Sequence, residues 1–181
     1  MQGNNIDTFA VVLFEQSKRF FEKASEGSDN IAQLAYLHAS LMLGFCSLEA
    51  QINAIAEEFS KSPGLSIHEI SVLMEKEVRL ENGRFISYGL RMIRLDERIL
   101  FIYEKFSGAP LDRTGSWWSE LKTAMDLRNQ LTHPKDNISI TAAKVERALT
   151  AIIDTIDGLY RGVYKTGFPA AGRGLQSRFD F

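Results

Sequence analysis

VERALTAIIDTIDGLYRGV, residues 145–163, places Val145, Leu149, Ile152, Ile156, Leu159 and Val163 three or four positions apart. That is the period of one face of an α-helix, and charged residues such as Glu146, Arg147, Asp154 and Asp157 fall between. A stripe of this kind cannot bury itself; it needs other helices against it. The rest of the chain supplies them. Leu34, Leu37, Leu41, Phe45, Leu48, Ile52, Ile55 and Phe59 make a longer stripe that SPG, 62–64, brings to an end. Before it, Phe9, Leu13, Gln16 and Phe20 keep helical spacing from Ile6 to Ser25, until EGSDN breaks the pattern.

Ser66 with Glu69 has the form of a capping box, opening a third helix through about Val78. ENGR, 81–84, reads as a turn, and Ile86, Leu90, Ile93, Leu100, Tyr103 and Phe106 then carry a fourth helix. A fifth starts near Ser116, with Trp117 and Trp118 anchoring it, and Pro134 stops it. PKDN, 134–137, separates it from the sixth. No run beyond ambiguous fragments alternates with the period of a strand. The expectation is an all-α, compact up-and-down bundle of about six helices over residues 1–163. A tail over 164–181 is either loosely ordered or pinned by Phe168, Phe179 and Phe181.

Composition narrows the function. The chain has 181 residues, 45% of them hydrophobic and 24% charged, enough for one real core. A formal net charge of -2 excludes a uniformly basic nucleic-acid binder but leaves room for local patches. Cys46 stands alone, so it forms no internal disulfide and is expected as a small core residue. MQGNNIDTFA lacks the features of a signal peptide, and no stretch is expected to approach the ~20 apolar residues of a membrane span. A cytoplasmic protein without membrane contact is expected. His38, His68 and His133 lack zinc-like spacing, and there is no glycine-rich phosphate loop, so neither metal nor cofactor is expected. Gly44 offers a point of close helix approach.

One residue does not fit a quiet bundle. The inward stripe of the fifth helix runs through Leu121, Ala124 and Met125, and Arg128, two turns after Leu121, shares that face. A guanidinium keeps its charge when buried, so it requires carboxylates, phosphates or water. His133 precedes Pro134, which pushes it away from helical dihedrals and frees its ring at the helix end. Either residue alone has a plain explanation, as a core ion pair or a helix-end cap.

Together, Arg128-Asn129-Gln130-Leu131-Thr132-His133 resembles the signature of the HEPN superfamily: arginine, a polar residue, a few positions, then histidine. SLEAQINAIAEEF, 47–59, also resembles the long second helix of several HEPN groups. The resemblance spans roughly residues 30–160 and implies a helical bundle that dimerises. For catalytic members it further implies a metal-independent endoribonuclease of toxin–antitoxin or phage-defence systems, with RNA as substrate and a cognate antitoxin as a further partner. The tyrosine that some HEPN toxins carry shortly after the histidine is absent here.

RNA supplies its own nucleophile, the 2′-hydroxyl, so the enzyme must move a proton and neutralise charge on phosphorus. In this scheme His133 moves the proton, and Arg128 grips two phosphate oxygens. Asn129 orients the arginine or donates to the phosphate. By resemblance the site lies at an interface between two copies. Glu49 and Asn53, one turn apart on the second helix, are expected to orient Arg128 or His133. Arg84, Arg91, Arg94 and Arg98 are expected on one face of the fourth helix, as an RNA track or as a solvated face of ion pairs. The alternative function is a non-catalytic HEPN-like dimerisation or binding module, in which Arg128 and His133 serve an interface.

Overall fold

In the computed structural model, six α-helices follow one another among the described residues: α1 (Asn5–Glu26), α2 (Asn30–Phe59), α3 (Ile67–Met74), α4 (Leu95–Ser107), α5 (Ser116–Thr132) and α6 (Ala142–Tyr164). Two strands, β1 (Lys76–Glu81) and β2 (Arg84–Leu90), stand between α3 and α4. The structure describes residues 5–27, 29–134 and 138–181, with side chains from residue 9 onward. The turn read at 134–137 therefore falls, beyond Pro134, outside the described residues. The fold is the mostly helical bundle that the stripes require.

The whole 145–163 stripe is buried on α6, which packs against α1, α2, α4 and α5. Thr141 begins that helix by accepting a hydrogen bond from the Lys144 N–H. From Leu37 to Ile55 the α2 stripe is also buried, and Ile52 and Ile152 are both fully enclosed. Gly44 marks the tightest crossing. A Cβ there would lie 2.7 Å from Leu149 Cδ2 and 3.2 Å from Ser17 Oγ, so α1, α2 and α6 meet where only a hydrogen fits.

Three expectations need correction. Phe9 is 59% exposed, and α1 instead buries Ala10, Phe14, Ser17 and Ala24. Small residues decide this: Ser17 Oγ donates to Ser40 O and Ser47 Oγ to Ala10 O, drawing the two backbones together. Cys46 is exposed, because the buried face of α2 runs through Phe45 and Leu48. Finally, α2 holds an 18-residue window of mean hydropathy 1.4 and is, by length and composition, apolar enough to cross a membrane. Here it lies within the bundle, against α1, α3, α4, α5 and α6.

The larger difference concerns the fourth helix. Asn82 and Gly83 have φ of 49° and 75°, as a two-residue type I′ turn requires at both central positions. That turn folds 76–90 into an antiparallel hairpin, pairing Leu80 with Phe85 and Glu81 with Arg84. Helix resumes only at Leu95. The capping box of Ser66 and Glu69 is present, but its helix ends at Met74 rather than near Val78. Glu75 ends it in a left-handed conformation (φ 49°), which costs a non-glycine residue about 1–2 kcal/mol. Its contacts offset this: Glu75 O accepts from Arg91 N, and its carboxylate accepts from Ile93 N and Arg98. One residue thus ties together α3, the far end of the hairpin and α4.

The segment after α6 lies along α1. Phe168 is buried, and its N–H donates to Asp157. Further on, Ser177 Oγ donates to Glu15 O, Arg178 N to the Glu15 carboxylate, and Lys18 Nζ to Gln176 O. Lys18 and Glu15, 2.7 Å apart, form an ion pair that this strap seals from water.

Candidate functional site

At the end of α5, His133 has φ −133° and ψ 63°, outside the helical region, as the following proline demands. Its N–H still donates to Asn129 O at 2.9 Å, and the residue is exposed. Five positions earlier, Arg128 turns toward α2. Its Nη2 donates to Glu49 Oε1 at 2.9 Å, and its guanidinium lies 5.1 Å from the centre of the Phe45 ring. Phe45 and Glu49 are one turn apart, so α2 presents an aromatic face and a carboxylate to the same cation. The Arg128 side chain is 23% exposed and Glu49 is 45% exposed. Arg128 Nε is shielded and has no hydrogen-bond partner among the described residues.

Beside this pair opens a cleft of roughly 430 Å³ between α2, α5, the segment 92–94 and the start of α4. Six of the nine residues nominated from sequence line it: Glu49, Asn53, Arg94, Arg98, Arg128 and Asn129. His133, Arg84 and Arg91 do not. The cleft therefore gathers the arginine half of the motif and leaves the histidine outside it.

Arg98 is structural. Its side chain is 5% exposed and donates to Asn53 Oδ1, Glu75 Oε2 and Leu73 O, each at 2.9 Å. Burial pushes its guanidinium below the ordinary value, while the Glu75 and Glu49 carboxylates push back. Asn53 accordingly holds Arg98, rather than Arg128 or His133 as expected. Nor do the four arginines share a helical face. Arg84 begins β2, Arg91 follows it, Arg94 precedes α4 and Arg98 points into the core. The Asn-Gly turn is the cause, since it converts the first half of the expected helix into a strand.

The cleft's electrostatics are balanced. Arg94, Arg98, Lys122 and Arg128 face Glu49, Glu75 and Asp126. Arg94 and Lys122 share Asp96, which is itself buried. Burial alone would raise that carboxyl, but Lys122 and Arg94 outweigh it and hold it below the ordinary range. An entering anion must therefore compete with a carboxylate for each cation. Arg94 is the most exposed of these cations, and Arg128 is the one whose paired carboxylate, Glu49, stands half in water. Cys46 stands nearby, its thiol pushed up by partial desolvation and by Glu49, against the pull of Arg128.

Sequence reasoning missed Glu75, Asp96, Lys122 and Asp126. Lys122, Asp126 and Asn129 repeat at spacings of four and three, so a shared polar face of α5 was legible. Glu75 and Asp96 carry no local signal, since their partners come from distant elements. Among the described residues, no group of three or more His, Cys, Asp or Glu side chains is placed to hold a metal ion. No known family, curated protein or solved structure matches the chain.

Proposed function

We propose that this protein is an endoribonuclease of HEPN type that cleaves RNA by attack of a 2′-hydroxyl on the adjacent phosphate. In this reaction the 2′-O–P bond forms and the P–5′-O bond breaks. The 2′ proton leaves to a base, and the departing 5′-oxygen takes up a proton. Arg128 neutralises charge on the phosphate oxygens, Asn129 adds a donor, and His133 moves the proton. Glu49 acts as a positioning residue that holds Arg128 until phosphate replaces it. A second copy brings a further His133 toward the cleft, RNA is the substrate, and the setting is a toxin or defence system with its own antitoxin in the cytoplasm. The observation that carries this reading is Arg128: it lies at an open cleft beside Asn129, and among the described residues its one ion-pair partner is the half-exposed carboxylate of Glu49.

The test is cleavage of single-stranded RNA by purified protein, scored for 2′,3′-cyclic phosphate and 5′-hydroxyl ends. His133→Ala should lose about 100- to 10,000-fold in rate, the usual value of a proton-transfer group. Arg128→Lys should fail as well, because an ammonium cannot make the two-pronged contact. EDTA should leave the rate unchanged, and a 2′-deoxy sugar at the scissile position should block it. Activity that persists in both variants would refute the assignment.

A specific observation favours a second reading, a non-catalytic binding module. The Arg128–Glu49 pair closes within one chain, and His133 stands outside the cleft. RNA binding without cleavage, undiminished in His133→Ala, would decide for it.

A further inference from the structure

The hairpin has no role in the cleft chemistry, yet it carries much of the chain's exposed apolar surface. All seven residues of β2 are exposed. Among the described residues β2 pairs only with β1, so its other edge presents unpaired backbone donors and acceptors. Leu80, Phe85, Leu90 and Met92 are more than half exposed, and Ile86 and Tyr88 are each 40% exposed. A two-stranded ribbon by itself is marginal in water, and an apolar edge of this length marks a contact site.

The β2 sequence, Arg-Phe-Ile-Ser-Tyr-Gly-Leu, identifies the partner, because it complements its own reverse. A two-fold axis through Ser87 sets Ile86 opposite the partner's Tyr88 and Phe85 opposite the partner's Gly89. A β-branched side chain against an aromatic ring is a favoured cross-strand pair, and an aromatic ring over a glycine covers the gap that glycine leaves. A residue-centred axis stands perpendicular to the sheet and keeps like faces together. The Leu80–Phe85 rows of both copies then share one side.

We infer that β2 is a homodimerisation edge, joining two copies of this chain antiparallel into a four-stranded sheet outside the helical bundle. The contact uses no residue of α5 and holds whether or not the chain cleaves RNA.

Sedimentation equilibrium of the full chain should show dimer at tens of micromolar. Ile86→Glu and Tyr88→Arg should each weaken it at least tenfold. Mixing the two variants should restore it, since a glutamate then faces an arginine across the axis. As a second measurement, Ser87→Cys in a Cys46→Ser background should oxidise to a covalent dimer, because directly opposed residues lie within disulfide reach. Arg84→Cys in the same background should not. A wild-type monomer throughout this range, or a dimer indifferent to both substitutions, would overturn the inference. So would a monomer that instead binds single-stranded RNA or an acidic peptide through this arm.

Discussion

Arg128 and Glu49 are 79 positions apart in the chain and 2.9 Å apart in space. Their contact fixes the end of α5 to the middle of α2 and determines where the motif arginine points. Water reaches both partners, so the pair orients more than it stabilises.

Glu49→Gln should therefore change stability by less than about 1 kcal/mol, the range for exposed pairs. RNA cleavage should weaken without vanishing. Urea unfolding and a cleavage assay on one preparation separate the two effects, and a large stability loss would show that Glu49 is structural.

Arg98→Ala should behave in the opposite way. It strips partners from Glu75, Asn53 and Leu73 O at once, leaving a carboxylate only 18% exposed without its cation. Breaking a buried pair from one side costs about 3–5 kcal/mol, and partial exposure of Glu75 points to the lower end. The urea midpoint reads this directly.

Ile52→Ala and Ile152→Ala each truncate a fully enclosed side chain at the α2–α6 centre. A loss of about 2–5 kcal/mol is expected at each site by chemical denaturation. Less than about 1 kcal/mol at both would mean that the core can collapse around the gap.

Acid should weaken the start of α3. Lys105 and the Ser66 cap hold the Glu69 carboxyl down at about 2. A carboxyl lowered on folding stabilises above its unfolded value, near 4.5, and that contribution fades as pH falls toward 2. The difference in urea midpoint between wild type and Glu69→Gln should therefore be present at pH 6 and shrink below pH 4. A difference that stays constant with pH would show that the cap works through geometry alone.

What the sequence made legible was set by local physics. The stripes of α2 and α6 and the box at Ser66 could be read because each element carries its own signal. The fourth helix could not, because Ile86, Leu90 and Ile93 fall at helical spacing while Ile86, Tyr88 and Leu90 also alternate as a strand does. The Asn-Gly pair at 82–83 was the deciding clue. Cys46 and Phe9 each missed the buried face by one position, where small serines and Gly44 set the rotation of the helices. Arg128 was legible as a misfit, but its partner was a matter of two candidates on α2. Only the fold could assign Glu49 to Arg128 and Asn53 to Arg98.

The strap over α1 has a consequence for the order of events during synthesis. Lys18 is made early, but the carbonyl of Gln176 that accepts its hydrogen bond lies 158 positions later. At roughly 5–20 residues per second, the ribosome needs roughly 8–30 s to produce that acceptor. Throughout that interval the Glu15–Lys18 pair lacks its cover, while Ala10 and Ser17 can already dock on α2. The bundle is then sealed by one of the longest-range contacts it contains, so a chain stalled before residue 176 should hold its first helix against α2 with the Glu15–Lys18 face still open to water.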